Sequence, residues 1–115
     1  MNLLEISHDA MRKELLRLLV TSLITTGHLL SVDNGGDAYE IEKSADVEKI
    51  LETMQATADE ELHAEKDGKR YWVNLIYGYG NLPWEMIADY HVGLEEIMVP
   101  ILALADTYCE QDTNT

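Results

Sequence analysis

Cysteine is nearly missing from this sequence. Cys109 is the only one among 115 residues, which excludes an intramolecular disulfide and a cysteine-built zinc cluster. Its neighbour Glu110 also disfavours a reactive thiolate. Positive charge is scarce as well. Eight Lys+Arg stand against 22 Asp+Glu, a formal charge of −14 at pH 7, which argues against direct contact with DNA, RNA or an anionic membrane, because each phosphate would be repelled by the protein's own field. Long apolar runs are lacking too. The most apolar stretch, residues 15–24, carries Arg17, Thr21 and Ser22 and falls short of the roughly 20 residues that span a bilayer. With Glu5 and Asp9 ahead of it and no small-x-small cleavage site behind, it does not read as a secretory signal. There is no internal repeat, low-complexity tract or Pro/Gly/Ser linker. These absences predict one domain over residues 1–109, a flexible tail over 110–115, and a reducing, cytoplasmic setting.

What is present is an apolar content of 46%, enough to build a core and too much for an acidic disordered tail. The charge is uneven. Residues 1–31 hold three acids and three bases, residues 32–67 twelve acids and three bases, and residues 68–115 seven acids and two bases. A neutral first helix leads into a strongly acidic middle third.

Apolar spacing predicts that first helix over about 7–29, capped by Ser7 or Asp9, with Met11, Leu15, Leu18, Leu19, Val20, Leu23 and Ile24 as its buried stripe. A Gly35-Gly36 turn then predicts a hairpin pairing Val32 with Tyr39 and Leu30 with Ile41. Ser44 is expected to cap a second helix, with Val47, Ile50, Leu51 and Met54 inward and Glu48 and Glu52 outward. Asp67-Gly68 fixes the next hairpin so that paired residue numbers sum to 135. Leu62 then faces Val73, and Glu65 faces Arg70. A strand over 86–92 should add Ala88 beside Leu75 and Tyr90 beside Val73, and a last helix should kink or restart at Pro100. The order α-ββ-α-βββ-α describes an α+β fold: a two-layer domain whose antiparallel sheet, a hairpin plus a three-stranded meander, is packed by helices.

Chemistry-bearing motifs are few. His63, Trp72 and His91 project to one sheet face, but the two imidazoles stand two strands apart, about 9.6 Å, too far to share a zinc ion bound at about 2 Å. Gly78–Trp84 (GYGNLPW) lacks the Lys-Ser/Thr of a phosphate-binding loop; Trp84 is expected to cover a core edge. Asp33–Asp37 (DNGGD) lacks the twelve-residue calcium pattern. No G-x-S-x-G elbow occurs. The sequence therefore predicts no cofactor, no metal and no enzymatic activity.

The acidic middle is the functional lead. Strand carboxylates two apart recur every 6.6–6.8 Å or so, and helical Glu48 and Glu52 sit about 6 Å apart, a local echo of nucleic-acid charge. The expected function is a small binding protein that docks on a basic, nucleic-acid-binding protein surface such as a nuclease and blocks it, in the manner of a phage anti-defence or immunity protein. Glu40, Glu42, Glu48, Glu52, Glu61 and Glu65 would supply the charge, and Trp72 or Trp84 the apolar anchor. The alternative is a homodimeric chaperone, adaptor or structural module holding a partner peptide, with acidity serving only solubility.

Overall fold

The computed structural model describes residues 7–36 and 38–113. The elements run α1 (His8–Thr25), β1 (Leu29–Asp33), β2 (Ile41–Ser44), α2 (Val47–Thr53), β3 (Asp59–Lys66), β4 (Lys69–Ile76), β5 (Ile87–Tyr90) and α3 (Glu95–Thr113), with single 3₁₀ turns at Pro83–Glu85 and Val92–Leu94. This is an α+β fold in the order α-ββ-α-βββ-α. All five strands join one open antiparallel sheet, β2-β1-β3-β4-β5. The hairpin and the meander are thus one layer, zipped together by Leu30 opposite Ala64 and Val32 opposite Leu62.

Alternation divides the sheet into two faces. Leu30, Val32, Leu62, Ala64, Val73 and Leu75 are fully buried with Leu15, Leu19, Leu23, Ile50, Met98 and Ile101 of the helices. The opposite face is polar and partly exposed. No helix among the described residues is long and apolar enough to cross a membrane.

The local chemistry explains the helix limits. The Ser7 hydroxyl accepts from the Ala10 N–H at 3.0 Å. α1 stops at Thr25, short of the expected Leu29, because Gly27 takes φ +95° and a Schellman closure forms, with His28 N bonding the Leu23 carbonyl and Gly27 N the Ile24 carbonyl. α2 is capped by Asp46, whose Oδ1 accepts from Lys49 N at 3.2 Å, and not by Ser44. Strand pairing to Leu30 holds Ser44 in β2, where its hydroxyl accepts from Asp46 N instead. α3 runs unbroken through Pro100 to Thr113, past Cys109 where the tail was expected to begin; residues 114–115 lie outside the described residues. Tyr108 ties α3 to α1 by donating to Glu14 Oε2, and burial, then that bond, pushes its hydroxyl up to about 12.

Two of the three predicted registers change. The β3–β4 hairpin is as expected, eight pairs summing to 135 across a turn in which Asp67 and Gly68 both hold positive φ. The first hairpin pairs Val32 with Ile41 and Leu30 with Ser44. Asp33 Oδ1 accepts from Gly35 N at 2.9 Å, which opens a wide loop in place of the tight turn. A bulge with Lys43 at φ +47° then absorbs the odd residue. In β5, Tyr90 pairs with Val73 as expected, but Ile87 and not Ala88 pairs with Leu75; a bulge expels Ala88 to solvent and keeps the larger apolar side chain on the core.

Candidate interaction surface

The open sheet face is built in cross-strand rows. Asp33, Glu61, Asn74 and Asp89 form one row across β1, β3, β4 and β5, and Ser31, His63 and Trp72 form the next. Neighbours in a row stand about 5 Å apart. Asp59 precedes Glu61 on the same side of β3, opposite Ile76. A shallow depression of about 360 Å³ opens here, lined by the carboxyl-bearing Asp33, Asp59, Glu60 and Glu61 and by no Lys or Arg.

The other end of the sheet is basic. Lys43, Lys66, Lys69 and Arg70 gather beside the β3–β4 turn, half of the eight bases in the chain. Lys43 Nζ lies 3.9 Å from Glu65 Oε2, and Arg70 is directly opposite Glu65. Lys66 lays its aliphatic stem at Gly27, where an added Cβ would be 3.4 Å from its Cε, and so brings a cation to the C-terminus of α1, which has no base in its last turn. The sheet is therefore polarised along its strands. Five residues from Glu61 to Lys66 separate the two ends by about 17 Å.

The residues singled out in the sequence do not form one surface. Glu61, Glu65 and Trp72 share the open face. Glu42 borders it, lining a second depression with Asp33, Gly36, Ala38 and Tyr39. Glu40 is exposed ahead of β2, close enough to Glu60 for its charge to act on that carboxyl. Glu48 and Glu52 belong to the helical layer beside Lys13 and Arg17. Arg17 clasps Glu48 with bonds of 2.7 and 3.2 Å, which lowers the Glu48 carboxyl and answers how α2 tolerates two glutamates one turn apart. Trp84 packs on the core edge with its ring against His8 at 5.7 Å, away from the sheet face. The loop carrying it shows Tyr79 instead, 79% exposed at φ +60°. This loop is pinned to the acidic end, because Tyr77 and Gly78 both donate to the Ala58 carbonyl. Gly78 has no room for a side chain, since a Cβ would lie 2.8 Å from that of Ala58.

His91 continues the His63–Trp72 row just beyond the end of the strand, its N–H donating to the Trp72 carbonyl at 2.9 Å. It follows β5, its Nδ1 accepts from Gly93 N at 2.8 Å, and its ring meets Tyr71 and Trp72 edge-on. Among the described residues no group of three or more His, Cys, Asp or Glu could hold a metal ion. Strand alternation on β3 and the expected β5 register already place Asp59 and Asp89 beside Glu61 and Asn74, whereas Asp33 joins them only through the β1–β3 pairing, which the sequence does not reveal. Comparison with known proteins found no matching family model, no matching curated protein and no matching solved structure.

Proposed function

We propose that this chain is a small, non-enzymatic binding protein that docks the acidic end of its open sheet face on the basic, nucleic-acid-binding surface of another protein and blocks it. One observation carries the reading: Asp33, Asp59, Glu61 and Asp89 converge on one end of a rigid sheet while the sheet's bases are confined to the other. A merely solubilising surface intersperses the two signs. A fixed carboxylate patch steers a cationic partner and orients it before contact. Exposed Tyr79 at the same end offers the amphipathic ring that anchors many interfaces. A nuclease or comparable defence protein, whose own ligand is polyanionic, has the complementary chemistry.

The peptide-holding alternative finds less support. Both free edges are four-residue strands broken by bulges, the geometry that blunts strand addition, and two copies at −14 each repel.

The test is affinity capture from nuclease-treated host lysate at low salt, with the wild type beside an Asp33→Lys, Asp59→Lys, Glu61→Lys triple variant. The expected result is a basic protein retained only by the wild type and released by about 0.5 M salt. Capture that needs intact nucleic acid, or that the triple variant matches, contradicts the proposal.

A further inference from the structure

A chain of four polar side chains crosses the open face, independent of the docking surface in its chemistry although it shares Glu61. Glu61 Oε1 lies 2.7 Å from His63 Nε2, His63 Nδ1 lies 2.8 Å from Tyr39 Oη, and Arg70 Nη1 lies 3.2 Å from the same Tyr39 oxygen. The donors and acceptors allow one polarity for a neutral imidazole. A carboxylate only accepts and a guanidinium only donates. Nε2 therefore carries the ring proton and gives it to Glu61, which leaves Nδ1 as an acceptor. The Tyr39 oxygen accepts from Arg70, so its own proton points to His63 Nδ1.

This is the arrangement of a nucleophile, a base within hydrogen-bond reach, and a third group orienting the base. Arg70 adds a cation that stabilises the phenolate character of the Tyr39 oxygen as its proton is withdrawn. His63 is shielded, its side chain 15% exposed, and its ring holds Tyr39 edge-on at 5.4 Å. Beside Tyr39 lies a depression of about 340 Å³ lined also by Asp33, Gly36, Ala38 and Glu42. Its two carboxylates exclude anionic reagents.

We propose that Tyr39 is an activated nucleophile that accepts an acyl group from an uncharged, activated acyl donor. The phenol oxygen forms a bond to the acyl carbon, the bond from that carbon to the leaving group breaks, and the phenol proton passes through His63 Nδ1 to the departing group. His63 is the base, and Glu61 is the positioning residue that fixes its tautomer.

The probe is N-acetylimidazole, with acetylation of each tyrosine followed by peptide mass mapping. Tyr79 is the internal reference, because at 79% exposure it would react first if access decided the order. Tyr39 is expected to react about tenfold faster than Tyr79 or more, the roughly 10²–10⁴-fold that a positioned base provides being offset in part by the lower exposure of Tyr39. His63→Gln keeps an acceptor for the phenol but supplies no base; it should bring Tyr39 below Tyr79 without altering Tyr79. Glu61→Leu should slow Tyr39 alone, and Glu61→Gln, which keeps an acceptor for Nε2–H, should restore it. Tyr39 reacting no faster than Tyr79 in the wild type, or indifferently to His63→Gln, overturns the proposal. Neither result bears on docking.

Discussion

Replacing Glu60 with alanine is expected to lower the midpoint of thermal unfolding by about 12 °C. Glu60 lies on β3 toward the helical layer and is 5% exposed. Its Oε1 accepts from Gln55 N at 2.9 Å and from the Tyr77 hydroxyl at 2.8 Å, and its Oε2 from Ala56 N at 3.2 Å. One carboxyl thereby closes the α2–β3 connection, where Gln55 is held at φ +68°. Alanine would strand three donors, each costing about 1–3 kcal/mol when left unsatisfied in the interior. Water reaching the loop amides recovers part of this, for a net loss of about 3 kcal/mol, and each kcal/mol shifts the midpoint of a domain this size by about 4 °C.

The same residue has a pH signature. Burial raises the Glu60 carboxyl above its ordinary value, and Glu40 adds to the rise, against hydrogen bonds that favour the ionised form. The folded chain therefore keeps this proton to higher pH than the unfolded chain does. The group's contribution is complete below the unfolded value, 4.5, and is lost as pH rises through the folded one. The gap between wild type and Glu60→Ala should accordingly be wider at about pH 4 than at about pH 7. Thermal melts at the two pH values check both parts. A gap that widens toward neutral pH would contradict the assignment.

Gly93→Ala is expected to cost about 2–3 kcal/mol by overpacking. A Cβ at Gly93 would stand 2.5 Å from Tyr71 Cε1, 2.9 Å from its Cδ1 and 3.0 Å from His91 Nδ1. The Tyr71 ring has nowhere easy to go, because His28 meets it edge-on at 5.6 Å and His91 at 5.1 Å. His91 is in turn held by the bond from Gly93 N to its Nδ1, so methyl insertion also disturbs the cap of the turn leading into α3. The contact predicts strong coupling. In a Tyr71→Leu background the same substitution should cost less than about 1 kcal/mol. Equal cost in both backgrounds would mean the strain lies elsewhere.

The sequence was most legible where chemistry is local. Ser7, the i, i+3, i+4 spacing of α1 and the Asp67-Gly68 turn each dictate their geometry through a few covalent neighbours, and the β3–β4 register followed pair by pair. It was least legible where a side chain competes with the backbone. Asp33 bonding Gly35 N, and Ser31 Oγ accepting from Lys43 N at 2.9 Å, shift β2 by a bulge. That shift removes Tyr39 from its expected place beside Val32 and brings it over His63, so the Glu61–His63–Tyr39–Arg70 chain was invisible beforehand. The acidic surface was half legible. Glu61 and Glu65 followed from strand alternation, whereas the row from Asp33 to Asp89 depends on β1 pairing with β3, a contact between segments about 30 residues apart along the chain. The pairing of Glu48 with Arg17 was not legible, because Arg17 belongs to a different helix.

The central claim, that the acidic end of the sheet docks on a cationic protein surface, is tested most directly by the salt dependence of the equilibrium affinity for the captured partner. The measurement compares wild type with an Asp33→Asn, Asp59→Asn, Glu61→Gln variant. The account predicts that the wild-type association constant falls steeply from low to physiological salt, and that the variant binds more weakly with a shallower dependence. An association constant that is flat in salt and unchanged by removing the three charges would contradict it.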